Sequence, residues 1–273
     1  MNPGLLRDVL TLAVGVVTGV LSAAFGVGGA VVSTPGIRAL GATAFIAVGT
    51  TLPSILPSAA AGTARYLREH LIDWRWVAWT APAGIVTSVG GSLLSHSVPG
   101  HGHVLMLLTA GLLGFTAFRM ARARAGASEV SGIVEADDAL GQPAHARRDS
   151  PAALAGVGAV AGLLSGLLGV GGGIVMVPGF TELLGMPLKS AVATSLACVG
   201  LFAVPGTIAH AALGDIDWRF ALLLGVGVVP GARAGAALTL RAGERRHRVA
   251  VAAFLGVISV VYAAGEAVAL ARR

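Results

Sequence analysis

The stretch GLLSGLLGVGGGIVMVPG, residues 162–179, has a counterpart early in the chain, GVLSAAFGVGGAVVSTPG at residues 19–36. The likeness continues in order: LGATAFIAVGTTL at 40–52 matches LGMPLKSAVATSL at 184–196, Gly62-Thr63 matches Gly206-Thr207, and IDWR at 72–75 recurs at 216–219. Shared composition does not generate four matched blocks in one order, so the chain is read as a single unit duplicated. Between the copies the composition changes to RARAGASEVSGIVEADDALGQPAHARRD, charged and poor in large aliphatic residues. The expected organisation is a first repeat, 1–121, a hydrophilic cytoplasmic linker, 122–150, and a second repeat, 151–273.

The surroundings of these stretches are too apolar for a water-soluble domain. Hydrophobic residues make up 55% of the chain and charged residues 12%, with a mean hydropathy of +0.82, whereas soluble domains carry roughly a quarter charged residues. Apolar runs cover 10–25, 43–64, 74–94, 104–120, 152–168, 188–212, 218–240 and 249–269, each near the ~20 residues a helix needs to span hydrocarbon. None alternates as a membrane barrel strand must. The fold class expected is therefore all-α, a polytopic integral membrane protein whose Gly-rich helices approach closely. The run at 10–25 resembles a signal peptide, but its recurrence at 152–168 argues that it is a retained span. The net charge of +6 comes from Arg clusters between apolar runs without interleaved aromatics, which fits loop orientation in a membrane and excludes a nucleic-acid partner.

Each half also holds an apolar piece of about 14 residues, 27–40 and 173–184, long enough for roughly 20 Å of helix, less than the ~30 Å hydrocarbon core. The expectation is four spans plus one short broken or re-entrant helix per half, buried in protein or lining a wet cavity. If the short piece does not cross, the repeats are parallel; if it crosses, they are inverted. The balance of basic residues barely separates the two, and the inverted arrangement is favoured because it alone places Arg241, Arg245, Arg246 and Arg248 inside.

The glycine breaks GVGG at 26–29 and GVGGG at 169–173 carry the strongest functional signal. A helix start offers backbone N–H groups with no intrahelical partner, and glycine lets an anion approach them. Gly28, Gly29, Gly171, Gly172 and Gly173 are thus candidate substrate-binding residues, facing each other at the repeat interface as in carriers built from broken helices; close helix packing is the competing role. Thr50 and Thr51 align with Thr194 and Ser195, and their hydroxyls are candidate donors to an oxyanion, or bond back to the preceding turn. Arg233, inside the run VVPGARAGAAL, is a candidate fixed cation, or one that snorkels toward the Arg241 end.

Other residues point to structure. Pro35-Gly36 and Pro178-Gly179 are expected to kink the short helix. Asp73 and Asp217 are expected as helix N-caps beside interfacial Trp, Glu182 and Lys189 as a surface pair around the LLGMP turn, Glu266 as interfacial, and His210 as a cap near a helix end, with proton relay the alternative. No H-E-x-x-H, G-x-S-x-G or Walker A pattern occurs and the single Cys198 lies in an apolar run, so no enzyme activity, cofactor or metal site is expected.

These paired motifs, GLLSGLLGVGGGIVMVPGF with LLGMPLKSAVATSLACV and GVLSAAFGVGGAVVSTPG with AVGTTLPSI, resemble the TauE/SafE family of membrane permeases. The resemblance implies secondary transport of sulfur-containing anions such as sulfite or organosulfonates across the bacterial inner membrane. Its partners would be a small anionic substrate and the lipid bilayer, with the two halves rocking about the anion. The coupling ion, proton or sodium, and homo-oligomer formation stay open, as do a non-transporting membrane subunit or scaffold and carriage of a carboxylate or inorganic anion. The first half departs from the second at Ala30, where Gly173 aligns, and it has no Lys aligned with Lys189.

Overall fold

Glycine, by removing the side chain, lets two helices touch backbone to backbone, and that decides the architecture here. A Cβ added at Gly15 or Gly19 would fall within 3 Å of the backbone of Leu224 or Val228, and Gly227, Gly231 and Gly235 meet the backbone of Leu12, Val16 and Val20 in turn. A second seam of the same kind joins Gly158, Gly162 and Gly166 to Thr80, Gly84 and Ser88.

The computed structural model describes residues 3–95, 97, 103–130 and 150–271. Its helices are α1 (Pro3–Phe25), α2 (Ala30–Ala39), α3 (Ala44–Leu67), α4 (Trp74–Ser95), α5 (His103–Val130), α6 (Pro151–Leu168), α7 (Gly173–Pro178), α8 (Leu188–Ala212), α9 (Trp218–Arg241) and α10 (Glu244–Ala271). A π-helical turn, Gly179–Leu183, extends α7. Seven helices (α1, α3, α4, α6, α8, α9 and α10) are long and apolar enough to cross a membrane, and the described residues hold no strand. The protein is an all-α, multi-pass membrane protein. Residues 131–149 of the expected linker lie outside the described residues, and α5 stays helical to Val130.

The contacts fix the direction of each helix. Along the α1–α9 seam the residue numbers rise together, as they do along α4–α6, so each pair is parallel. Likewise α3 is parallel to α9, because Thr50 meets Asp217 and Pro57 meets Gly225, and α4 to α8, because Asp73 meets Thr194 and Gly84 meets Phe202. Between α3 and α8 the order reverses: Leu52 meets Gly206, Ala59 meets Gly200, and Gly62 meets Leu196. The end of α1 lies beside the end of α3, where Tyr66 donates to the Ala23 carbonyl. Hence α1, α3 and α9 run one way and α4, α6 and α8 the other. The short α2 runs back along α1, with Gly29 against Thr18 and Gly36 against Val14, while α7 runs back along α6, with Gly172 against Ala161 and Gly179 against Val157.

Matched elements of the two halves therefore point in opposite directions. The halves are also interleaved, since each glycine seam joins a helix of one half to a helix of the other. A rigid displacement of one half against the other would break both seams.

The Pro-Gly pairs lie within helical backbone. Pro35 and Gly36 lie inside α2, and Gly179 is right-handed helical, φ −57°. Their glycines provide the flat surface on which Val14 and Val157 sit, and the π-helical turn starts directly after Pro178.

Candidate functional site

The two breaks meet at the middle of the protein. Gly26 and Gly28 have φ of +67° and +85°, and their equivalents Gly169 and Gly171 have +65° and +89°. The repeated sequence gives these four glycines matching left-handed conformations, a region that side chains disfavour by about 1–2 kcal/mol, while the third pair differs, Gly29 at φ −64° and Gly172 at +71°. Gly28 and Gly171 are mutual neighbours: a Cβ on either would sit 3.2 or 3.3 Å from the other's Cα. The aliphatic ends of Val199 and Ile55 close the same point. Gly173 is pressed onto the Gly26 carbonyl and Val27 backbone, and the short helices begin at Gly29 and Gly172, the latter left-handed with φ +71°. The nearest neighbours of these glycines are apolar groups, hydroxyls or backbone, so the crossing is electrically neutral apart from its peptide dipoles.

The aligned hydroxyls hold this crossing together, each acting on the opposite half. Ser195 Oγ lies 3.0 Å from the Gly26 carbonyl, to which it donates, and Thr51 Oγ1 lies 3.4 Å from the Gly169 carbonyl. Both also reach the carbonyl one turn back in their own helix, Val192 and Val48. Thr50 Oγ1 accepts from the Asp217 N–H at 2.9 Å, and Thr194 Oγ1 accepts from the Asp73 N–H at 3.1 Å. The four side chains are fully buried. They are brought together as the repeat pattern suggests, but each has a protein partner. The buried hydroxyls without one include Thr18, beside Gly29, and Ser165, in the last turn before Gly169.

Asp73 and Asp217 cap α4 and α9: Oδ1 of Asp73 accepts from the N–H groups of Arg75 and Trp76, and that of Asp217 from Arg219 and Phe220. Trp74 and Trp218 stand exposed at these helix starts. The loop before α4 joins the loop before α8 around an open cavity of about 540 Å³, lined by His70, Asp73, Arg75, Trp76, Met186 and Ser190 among others. The bond from the Asp73 N–H to Thr194, and the adjacent Ser195 on Gly26, connect the wall of this cavity to the first break by hydrogen bonds.

Three sequence expectations resolve differently in space. Arg233 is exposed on α9, on the face opposite Gly231 and Gly235, and is not among the neighbours of the breaks. Glu182 pairs with Arg119 at 3.0 Å, while Lys189 donates to the Leu240 carbonyl at 3.1 Å and so closes the end of α9, so the two do not pair with each other. His210 is buried against Asp215, a residue that sequence reading passed over. The available signal was a departure from the repeat, since the first half has Tyr66 and Leu71 at these positions. The side chain of Glu266 lies outside the described residues.

With the crossing in place, comparison with known proteins settles the family. Residues 11–262 match the model of the sulfite exporter TauE/SafE family. The chain belongs to the TauE/SafE family. Its relatives in that family include the probable membrane transporter protein YunE of Bacillus subtilis, 28% identical over 84% of this chain and 88% of the relative. A probable membrane transporter protein of Xylella fastidiosa (strain 9a5c) is 26% identical over 88% and 87%. Another, MJ0441 of Methanocaldococcus jannaschii, is 24% identical over 92% of this chain and 93% of its own length. No solved structure matches the chain. The TauE/SafE match covers both repeats, so both glycine breaks lie within it.

Proposed function

We propose that this TauE/SafE protein is a secondary carrier of small sulfur oxyanions, such as sulfite or organosulfonates, in the bacterial inner membrane. The observation that carries the reading is the meeting of Gly28 and Gly171, where breaks from two oppositely directed halves cross in a neutral interior. Carriers with broken helices bind substrate at such a crossing, because irregular backbone there offers donors without a fixed charge. Gly28, Gly29, Gly171 and Gly172 supply the backbone donors, the Gly173 N–H being already given to the Gly171 carbonyl at 2.9 Å, and Thr18 and Ser165 are the hydroxyls left to turn toward an anion. The bonds already made by Thr50, Thr51, Thr194 and Ser195 support a holding role for those side chains. The seams favour alternating access in which α1, α3 and α9 move as one body against α4, α6 and α8, each body drawing on both halves.

Reconstituted protein tests this directly. Proteoliposomes are expected to take up labelled sulfite or a short alkylsulfonate with saturation, and excess unlabelled sulfonate is expected to compete. Absence of saturable flux across a panel of sulfur, phosphorus and carboxylate oxyanions would overturn the reading.

A further inference from the structure

We propose that His210 and Asp215 form a proton-binding site, built into the second half alone, through which the carrier couples anion movement to one proton; this rests on the carrier reading above. His210 Nδ1 lies 3.0 Å from Asp215 Oδ2, and Nε2 lies 3.4 Å from the Gly166 carbonyl. The two side chains are 1% and 9% exposed. Gly166 is in the last turn of α6 before the left-handed Gly169, so the imidazole bears on the segment that leads into the second break.

The repeat supplies an internal control. In the first half Tyr66 stands at the His210 position, and its hydroxyl donates at 2.6 Å to the carbonyl of Ala23, the equivalent of Gly166. The structural requirement, a donor for this carbonyl, is therefore met by a phenol that does not titrate near neutral pH. The second half meets it with an imidazole, which can hold a second proton, and replaces Leu71 by a carboxylate.

Proton counting gives the pair its character. Both ring nitrogens face oxygens that accept, yet a neutral imidazole carries one N–H. With the carboxylate ionised and the ring neutral, one of the two contacts has no proton and the buried pair carries a net negative charge. One added proton, on either partner, fills both contacts and brings the two side chains to zero net charge. Loss of that proton sets the ring against Gly166 or Asp215, which ties protonation to the path of the break.

From Pro151 to Leu168, α6 has no ionisable residue. On α3 and α4, Arg65 and Arg75 stand roughly 20 Å along their helices from Gly49 and Ser88, which lie at the level of the pair. At the start of α9, Asp217 caps its own helix and Arg219 pairs with Asp8, while Lys189 lies at the far end of α8. Leu213 and Gly214, between the two partners in sequence, are exposed, which gives the proton a short way in.

The test uses full-length protein in proteoliposomes with labelled ethanesulfonate, a strong-acid anion that does not cross as a neutral acid, at clamped zero potential. An inward one-unit proton gradient is expected to drive accumulation toward about tenfold, the limit for one proton per monovalent anion. The double variant His210→Tyr/Asp215→Leu, which installs the first half's own pair, is expected to exchange anion without accumulation, and His210→Gln likewise. Accumulation by either variant equal to that of the unchanged protein, or flux in the latter that ignores the gradient, overturns the coupling and leaves the carrier reading intact. Failure of the unchanged protein to move ethanesulfonate or sulfite overturns both. Infrared titration of the purified protein between about pH 5 and 8 then judges proton binding alone: carboxyl and imidazole bands that change together, and vanish in the double variant, are expected, and bands that persist there refute the site.

Discussion

Replacing Gly171 by Ala separates backbone strain from the crossing of the two breaks. The residue has φ +89°, and an alanine in the left-handed region costs about 1–2 kcal/mol. Its new methyl would lie 3.3 Å from Gly28 Cα, Ile55 Cδ1 and Val199 Cγ1. The side-chain ends can shift, but the Gly28 backbone is held by its own left-handed turn, so over-packing adds roughly 1–3 kcal/mol. The expected total is about 2–5 kcal/mol, from adding these two contributions. Gly214 is the control: its φ is +77° and nothing lies within 4 Å of an added Cβ, so Gly214→Ala is expected to cost only the strain, about 1–2 kcal/mol. Unfolding in mixed micelles, followed by the fluorescence of the four Trp residues, measures both variants, and sulfonate flux is measured on the same preparations. Gly171→Ala is expected to lose more stability than Gly214→Ala and to transport more slowly. Equal losses, with flux unchanged in Gly171→Ala, would refute the claim that the breaks abut and that their contact matters for transport.

Other perturbations reach other parts of the argument. Gly91→Leu, whose side chain would enter the backbone of Leu163 and Leu167, is expected to destabilise by about 3 kcal/mol or more, whereas the adjacent Gly90→Leu, facing open space, is expected to be tolerated; unfolding midpoints compare them. Ser195→Ala removes the donor to Gly26 and leaves a buried carbonyl without it, an expected loss of about 1–3 kcal/mol by the same measurement. Asp73→Ala and Asp217→Ala each delete a cap and are expected to cost about 1 kcal/mol, with equal effects, since the caps are equivalent. Cysteines introduced at Glu69 and Gly243 are expected to react with an impermeant maleimide from one face of the membrane and one at Leu213 from the other; labelling of all three from the same face would contradict the helix directions.

The membrane class and the duplication were legible in the chain itself, because hydropathy and repeated blocks are one-dimensional properties. So were the glycine breaks, whose first two glycines in each copy share their φ values, and the Asp caps, which act within a turn of their own position. What sequence could not supply was the identity of partners across the repeat. Thr51 and Ser195 read as hydroxyls for an anion or for the preceding turn; they reach the preceding turn and also the opposite half's break carbonyl, more than a hundred residues away. Arg233 read as a fixed cation or as one that snorkels, and helix rotation, set by the Gly231 and Gly235 seam, turned it outward. His210 and Asp215 became a pair only when the α8–α9 loop folded back. Sequence by itself thus determined what each segment prefers as its solvent and where its backbone breaks, since these depend on local composition. Only the tertiary structure decided direction, rotation and pairing, because those follow from which backbones approach closely enough to touch.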